Sequence, residues 1–280
     1  MTVACIGFAY NPKMEQALEL RERAAGWCAM RGIDQWAAPA GDTPEIREQL
    51  ARTDVLVVLG GDGTFLRAIQ AVANVDVPIL GINLGKVGFL SKAEANELEP
   101  VLDKLKSGAF EVHPRMGLSG AILPGGRPMS NGFTALNDFV IARGSLARVV
   151  RMSVSIDESH LATFIADGLI VASPTGSTGY SFSAGGPILD PQSRNLVVTP
   201  IAGYLSAIRS IVVSPRQVVR CQILDAHEAL VSIDGREDHR VEVGDVVEVR
   251  ALERPIRFVE PAGTMPFWDL LRTKVELLPS

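Results

Sequence analysis

Residues 54 to 64 read DVLVVLGGDGT, and the organisation of the chain is legible outward from them. Five consecutive apolar residues, Val55 to Leu59, predict a strand buried on both faces, as strands of parallel sheets are. Phe65, Ile69 and Val72 then recur at helical spacing, so Gly60-Gly61-Asp62-Gly63-Thr64 forms a tight strand-to-helix turn. The free N–H groups of such a turn, around Gly60, Gly61, Gly63 and Thr64, can cradle a phosphate. A phosphate cradle gains nothing from an added negative charge, so Asp62 reads as a group that handles a proton or a metal. On the local residues alone a plainer reading stays open, in which Asp62 is an ordinary turn-former.

The flanking sequence builds an α/β domain around this turn. Val3 to Ala9 predicts a first strand, and Met14, Leu18, Ala25 and Cys28 mark one face of a helix closed by Gly32. Thr43 and Pro44 suit the N-cap and first position of a short helix leading to the central strand. Pro78 to Ile82 gives a third strand. Strands alternating with helices argue for a parallel sheet, and ligands of such sheets sit beyond the carboxyl ends of the strands, where the GGDGT turn lies. Asn83 to Leu90, NLGKVGFL, is either a plain loop with Phe89 and Leu90 as core contacts or a loop whose Lys86 meets a phosphate. The next helix carries Leu98, Val101, Leu102 and Leu105 on one face and ends near Gly108, with Pro100 compatible only with its first turn.

After about residue 112 the period changes. Val150, Met152, Val154 and Ile156 alternate with Arg151, Ser153 and Ser155, the pattern of a strand wet on one face. Similar strands are predicted at 117 to 123, 161 to 165, 218 to 224, 229 to 233 and 246 to 251, so the second part is β-rich and mostly antiparallel. Within it, ALNDFVI at 135 to 141 places Asn137 and Asp138 in a strand-like run, as a turn or bulge or as polar groups facing a ligand. Asp167 to Leu189 is the richest segment. Its apolar strand, Leu169 to Ala172, runs into SPTGSTGY, whose hydroxyls and amides can satisfy a sugar or base edge while Tyr180 stacks on a ring; a Ser/Thr/Gly run is also what ordinary loops are made of.

Composition narrows the partners. A chain of 280 residues, 47% hydrophobic and 21% charged, is an ordinary globular one, and its net charge of −5 gives no support for a nucleic-acid or anionic-membrane partner. Three distant cysteines suggest reduced thiols, and the four histidines show no metal-ligand spacing. No apolar run approaches the ~18 residues of a membrane span and the N-terminus lacks a secretory pattern, so a soluble cytoplasmic protein is expected.

With GGDGT at 60 to 64, Asn137-Asp138, and Asp167 to Pro187 in that order, the chain resembles the NAD kinases, the ATP- or polyphosphate-dependent enzymes that make NADP. NLGKVGFL is similar to that family's loop after the third strand, and Ser232-Ile233-Asp234-Gly235 to its late turn. GGDGT alone is shared with diacylglycerol and sphingosine kinases; PTGSTGYSFSAGGPIL is the specific part. The resemblance implies an α/β domain over 1–112, a β-rich NAD-binding domain over 113–256, and a segment, 257–280, that returns to the first. It also implies that Asp62 activates the 2′-hydroxyl of the adenosine ribose, and that Gly61, Gly63, Asn137, Asp138, Asp167, Thr178, Gly179 and Tyr180 bind NAD. The family usually has Ala at the position of Gly179, a change that loosens the loop; Tyr204 stands where the family has a His and takes no role. Gly60, Thr64, Lys86 and Arg148 are phosphate-binding candidates, with Arg209 and Arg236 beside them, though each arginine reads first as a solvated surface charge.

Phosphoryl transfer needs in-line positioning, charge neutralisation and somewhere for the acceptor's proton to go. The glycine turn and Mg²⁺ or another divalent cation supply the first two, and Asp62 the third; no metal ligand is assigned. The expected partners are NAD and either ATP or polyphosphate, with no nucleic acid, no membrane, and a homo-oligomer, dimer or tetramer, as the assembly. Two rivals remain. A lipid kinase of the diacylglycerol type should show a GTGND-like loop and a basic or amphipathic face, which this sequence lacks, and a non-catalytic nucleotide sensor would have no need of Asp62.

Overall fold

The computed structural model describes residues 3–85, 88–127, 132–145, 148–203 and 208–276. In chain order the first elements are β1 (Cys5–Tyr10), α1 (Glu15–Arg31), β2 (Asp34–Pro39), α2 (Thr43–Gln49), β3 (Val55–Leu59), α3 (Asp62–Val72), β4 (Ile79–Asn83), β5 (Ser91–Glu94), α4 (Leu98–Ser107) and β6 (Phe110–Arg115). The β-rich part follows as β7 (Leu118–Leu123), β8 (Phe133–Ala135), β9 (Asp138–Arg143), β10 (Val150–Ile156), β11 (Ser159–Ala166), β12 (Gly168–Ala172), α5 (Tyr180–Ser183), β13 (Leu196–Ile201), β14 (Ile211–Val213), β15 (Val219–Asp225), β16 (Ala229–Ile233), β17 (Glu237–Val241) and β18 (Val246–Ala251). β19 (Ile256–Pro261) and α6 (Phe267–Glu276) close the chain. The chain divides into two compact units, one running to Pro114 and resuming at Ile256, the other spanning Arg115–Pro255.

The first unit is an α/β domain on a seven-stranded sheet of order β2-β1-β3-β4-β19-β6, with β5 also paired to β4. β1 pairs in parallel with β2 and β3, and β4 in parallel with β3, β5 and β19. β3 is wholly buried, as its unbroken apolar run requires of a strand covered on both faces. The carboxylate of Asp54 accepts the Ala4 and Cys5 amides, fixing β1 against the start of β3.

Three local expectations need correction. Residues 34 to 39, DQWAAP, form the edge strand β2, which carries no hydrophobic run because only Trp36 and Ala38 are buried. Helix α1 buries Ala17, Leu20, Ala24, Trp27 and Cys28 and leaves Met14 exposed, so its inner face is rotated from the Met14, Leu18, Ala25 and Cys28 line. Trp27 outweighs the smaller side chains in deciding which stripe goes inward. The cap of α2 is Asp42, whose carboxylate accepts the Glu45 amide, with Thr43 as the first helical residue. By contrast α1 ends at Gly32 in the left-handed conformation (φ 64°), and α4 buries Leu98, Val101, Leu102 and Leu105 before Gly108 (φ 75°).

The second unit is built from two six-stranded sheets, β11-β10-β15-β18-β7-β8 and β14-β13-β12-β9-β16-β17. Neighbouring strands run antiparallel throughout the pairings of both, for example β10 with β11 and β12 with β9. Alternate residues of the two sheets meet in one apolar core, Met152, Val154, Phe164 and Val247 from the first with Phe139, Leu169, Val171 and Val231 from the second. That core accounts for the period-two pattern of β10. The strand β12 and its neighbour β13 are instead buried on both faces, since Ile170, Ala172 and Val197 belong to a second apolar cluster.

Candidate active site

In the first unit the turn after β3 delivers Asp62 as the opening residue of α3, with Gly61 at the N-cap in an extended conformation. Gly60 is required by space: a Cβ there would lie 2.5 Å from Thr64 Oγ1. The Gly61 carbonyl accepts the Thr64 and Phe65 amides at 2.9 and 3.1 Å, which closes the first turn and leaves the amides of Asp62 and Gly63 among the helix-start donors that have no intrahelical acceptor. Those donors and the helix dipole favour an anion at this point.

The Asp62 carboxyl faces the loop after β4. A Cβ on Gly88 would come within 2.6 Å of Oδ1 and 2.7 Å of Oδ2, so the loop backbone lies directly against the carboxyl and only glycine fits without moving it. The loop is pinned there by the Gly88 amide, which donates to Ser91 Oγ at 2.9 Å. Asp62 as a residue is exposed, yet the protein crowded around its carboxyl desolvates it and raises its pKa; the Lys274 charge on α6 opposes that rise. Lys86, the phosphate candidate of this loop, lies outside the described residues.

Beside the turn, two cavities of about 310 and 380 Å³ share Asn11, Thr64 and Arg67 as walls. One extends along Tyr10, Lys13, Pro39 and Gly41, the other along Gly61, Gly63 and Asn83. They open at the carboxyl ends of β1, β2, β3 and β4, where ligands of parallel sheets bind. Lys13 and Arg67 are exposed cations at this cleft that no sequence motif singles out. The signal available for them was position alone, since both follow closely on a strand end or its glycine turn.

In the second unit, Asn137 and Asp138 occupy the link into β9, and their peptides are held from two sides. Asp234 Oδ1 accepts the amides of Asn137 (2.7 Å) and Asp138 (3.2 Å), and its Oδ2 accepts that of Leu136 (2.9 Å). From the other side the Ser173 amide donates to the Asn137 carbonyl at 2.8 Å, and the Ser173 hydroxyl donates to the Leu136 carbonyl. In the sequence Asp234 is only part of a late turn; the structure gives it this clamp. It adopts φ 51°, followed by Gly235 at φ 62°, which is how the turn brings its carboxylate back onto residues 136 to 138.

Asp138 is buried, and that burial, with Asp234 adding to it, pushes its pKa up to about 7. Burial also raises Asp234, but three amides and Arg236 pull it back, so Asp138 is the member of the pair that holds a proton most readily. Asp167, at the head of β12, is engaged by Arg143 in a two-pronged ion pair, Nε to Oδ1 at 2.9 Å and Nη2 to Oδ2 at 3.2 Å. Thr178 and Gly179 lie in the loop between β12 and α5, and Tyr180 is the first residue of α5. That loop is tied by Ser177 Oγ, which donates to the Pro174 carbonyl (2.6 Å) and accepts the Leu189 amide (2.9 Å), and by Thr178 Oγ1, which donates to the Thr175 carbonyl (3.2 Å). Gly179 therefore sits in a braced loop. Tyr180 is 48% exposed, a ring free to stack, and Thr175 Oγ1 is a buried hydroxyl with no partner among the described residues.

Of the arginine candidates, Arg236 lies 4.0 Å from Asp234 and keeps a buried Nε with no partner among the described residues, while Arg209 lines a cavity of about 230 Å³ with Ala184 and Gly185. Arg148 is exposed and joins neither cluster through any hydrogen bond or ion pair among the described residues. Tyr204 lies outside the described residues.

A carboxylate in an amide-lined turn of the α/β unit and a braced, hydroxyl-rich loop in the β-rich unit are the features that a kinase of small-molecule hydroxyl groups uses. Comparison with known proteins narrows the class. Residues 13–110 match the ATP-NAD kinase N-terminal domain and residues 136–261 the ATP-NAD kinase C-terminal domain. The chain is 39% identical to an NAD kinase of Geotalea daltonii, with 98% of each chain covered. It is 35% identical to an NAD kinase of Heliobacterium modesticaldum, covering 97% of this chain and 98% of the other. The chain belongs to the NAD kinase family. Among solved structures, the yeast NADH kinase complexed with NADH shares the fold (TM-score 0.85, 24% identity, 99% of this chain and 88% of that one). An NAD kinase from Archaeoglobus fulgidus in complex with ATP aligns with TM-score 0.76 and 25% identity over 98% of this chain and 100% of that one. No helix among the described residues is long and apolar enough to cross a membrane.

Proposed function

We propose that the protein phosphorylates the 2′-hydroxyl of the adenosine ribose of NAD to give NADP, with ATP or polyphosphate as donor. The observation that carries this reading is Asp62: a carboxylate at the head of a helix, against a glycine that leaves it room, in a turn otherwise made for phosphate. A ribose hydroxyl is a poor nucleophile at neutral pH, and Asp62 orients it and takes its proton as the oxygen–phosphorus bond forms. Gly61 and Gly63 hold the transferring phosphoryl through backbone amides, the amides of Gly60 and Thr64 being taken by the Ile82 and Gly61 carbonyls; Thr64 lines the adjoining cleft, where Lys13 and Arg67 neutralise the rest of the donor's phosphates. Lys86 is a further cation of this set by sequence.

The dinucleotide is held by the second unit. Asn137 and Asp138 offer an amide and a carboxyl fixed in place by Asp234 and Ser173, Thr178 and Tyr180 contribute a hydroxyl and a stacking ring, and Gly179 an amide. Asp167 acts through Arg143, whose orientation it sets. Arg148 is a further candidate cation of this unit by sequence alone. Among the described residues no group of three or more His, Cys, Asp or Glu could hold a metal. Magnesium or another divalent cation would arrive bound to the donor's phosphates and supply charge neutralisation there. A cytoplasmic homo-oligomer, dimer or tetramer, is the form in which we expect the enzyme to work.

The test is direct. Purified protein is given NAD, Mg²⁺ and either ATP or polyphosphate, and product is read by an NADP-specific dehydrogenase. NADP formed with either donor supports the reading and names the donor; phosphorylation of diacylglycerol without NADP refutes it.

A further inference from the structure

We propose that Lys274, on the C-terminal helix α6, is a positioning residue that supplies the positive charge holding the Asp62 carboxylate ready for proton transfer. The inference rests on the reading of Asp62 as the base and adds to it a second residue, some two hundred positions away in the chain.

Helix α6 is docked where it can do this. The Phe267 ring meets Phe89 at 6.1 Å between centroids, and Phe89 directly follows Gly88, whose backbone abuts the Asp62 carboxyl. Leu270 is buried. Phe267, Leu270 and Lys274 are spaced i, i+3 and i+7, so they share one face of the helix, and the face that packs on the Gly88 loop is the one that carries the lysine. Lys274 is accordingly half-buried, whereas Trp268, on another face, is 54% exposed. With α6 docked in this way, the Lys274 charge lowers the Asp62 pKa against the rise that burial causes. Other elements around the turn present uncharged groups, Gly88 from the loop and Asn83 from β4, while Arg67 of α3 lines the neighbouring cleft and Lys86 lies outside the described residues.

The chemistry gives the lysine a purpose. A crowded, partly desolvated carboxyl tends to take up a proton, and a protonated Asp62 cannot serve as a base. A fixed ammonium offsets that tendency, and a lysine on a long stem can do so without entering the space in front of the carboxylate.

The test compares Lys274→Met, Lys274→Arg and Lys274→Glu with the wild type in two ways. In the pH profile of kcat/KM for NADP formation, the acid limb should move to higher pH in Lys274→Met, further in Lys274→Glu, and stay in place in Lys274→Arg. In a protein labelled with ¹³C at the aspartate carboxyl carbons, with Asp62→Asn used for assignment, the Asp62 titration midpoint should move in the same order. The carboxyl titration needs no turnover, so it tests the inference even if the protein makes no NADP. An Asp62 midpoint and acid limb unmoved in Lys274→Met and Lys274→Glu would overturn it and reduce Lys274 to a packing residue of α6.

Discussion

Replacing Gly88 by alanine should lower kcat by about a hundredfold while leaving the fold intact. The new Cβ would stand 2.6 Å from Asp62 Oδ1, where ordinary contact begins near 3.4 Å, so the two groups must separate by about 0.8 Å. The loop is held by the bond from the Gly88 amide to Ser91, whereas the carboxyl ends an exposed side chain, so Asp62 is the group that moves. A displacement approaching 1 Å in a positioned catalytic group costs on the order of a hundredfold in rate, or about 2.7 kcal/mol of transition-state stabilisation. Gly88 is not in the left-handed region, so alanine meets no backbone strain there. The measurement is steady-state NADP formation at saturating NAD and ATP, with a thermal melt beside it and the same substitution made on Asp62→Asn. On that second background Gly88→Ala should have little further effect, because the group it displaces has already lost its function. A loss in kcat below about tenfold, or an undiminished loss in the double variant, would refute the argument that the Gly88 backbone places the base.

Asp62→Asn itself should lower kcat by about 10²- to 10⁴-fold with folding intact, and added magnesium should not restore it, since excess metal can offset a lost ligand but not a lost proton acceptor. Asp234→Asn should cost about 2 kcal/mol in urea unfolding and raise the KM for NAD, because the clamp on residues 136 to 138 is weakened; a stability loss with KM unchanged would separate that segment from NAD binding. The raised pKa of Asp138, about 7, lies above its value in the unfolded chain, so the folded protein keeps a proton that the unfolded one releases. Its contribution to stability is therefore full at acid pH and fades as pH rises to about 7, and Asp138→Asn should flatten that slope in unfolding curves taken across the range without NAD. Truncation after Glu260 removes α6 with the Phe267 contact to Phe89 and the buried Leu270, and should lower Tm and increase binding of a hydrophobic dye; an unchanged melt would show the helix to be dispensable.

Much of this protein can be read from local sequence, and the reason is that the relevant forces are local. The run Val55 to Leu59 announces a strand covered on both faces, and the helical spacing after Thr64 leaves the glycines no place but the turn between them. The alternation at Val150 to Ile156 and the stripe of α4 depend only on which side of one element is wet. The same locality marks Asp62, Asn137, Asp138 and the Ser173 to Tyr180 stretch as polar groups in otherwise apolar surroundings. The inner face of α1, the edge strand β2, and the pairing of β19 with β4 required the tertiary structure, because each is settled by a partner distant in the chain. So did the clamp of Asp234 on Leu136 to Asp138 and the contact of Gly88 with Asp62. No periodicity or propensity encodes a hydrogen bond between residues nearly a hundred positions apart, or an overlap that exists only as the space a missing methyl group would fill.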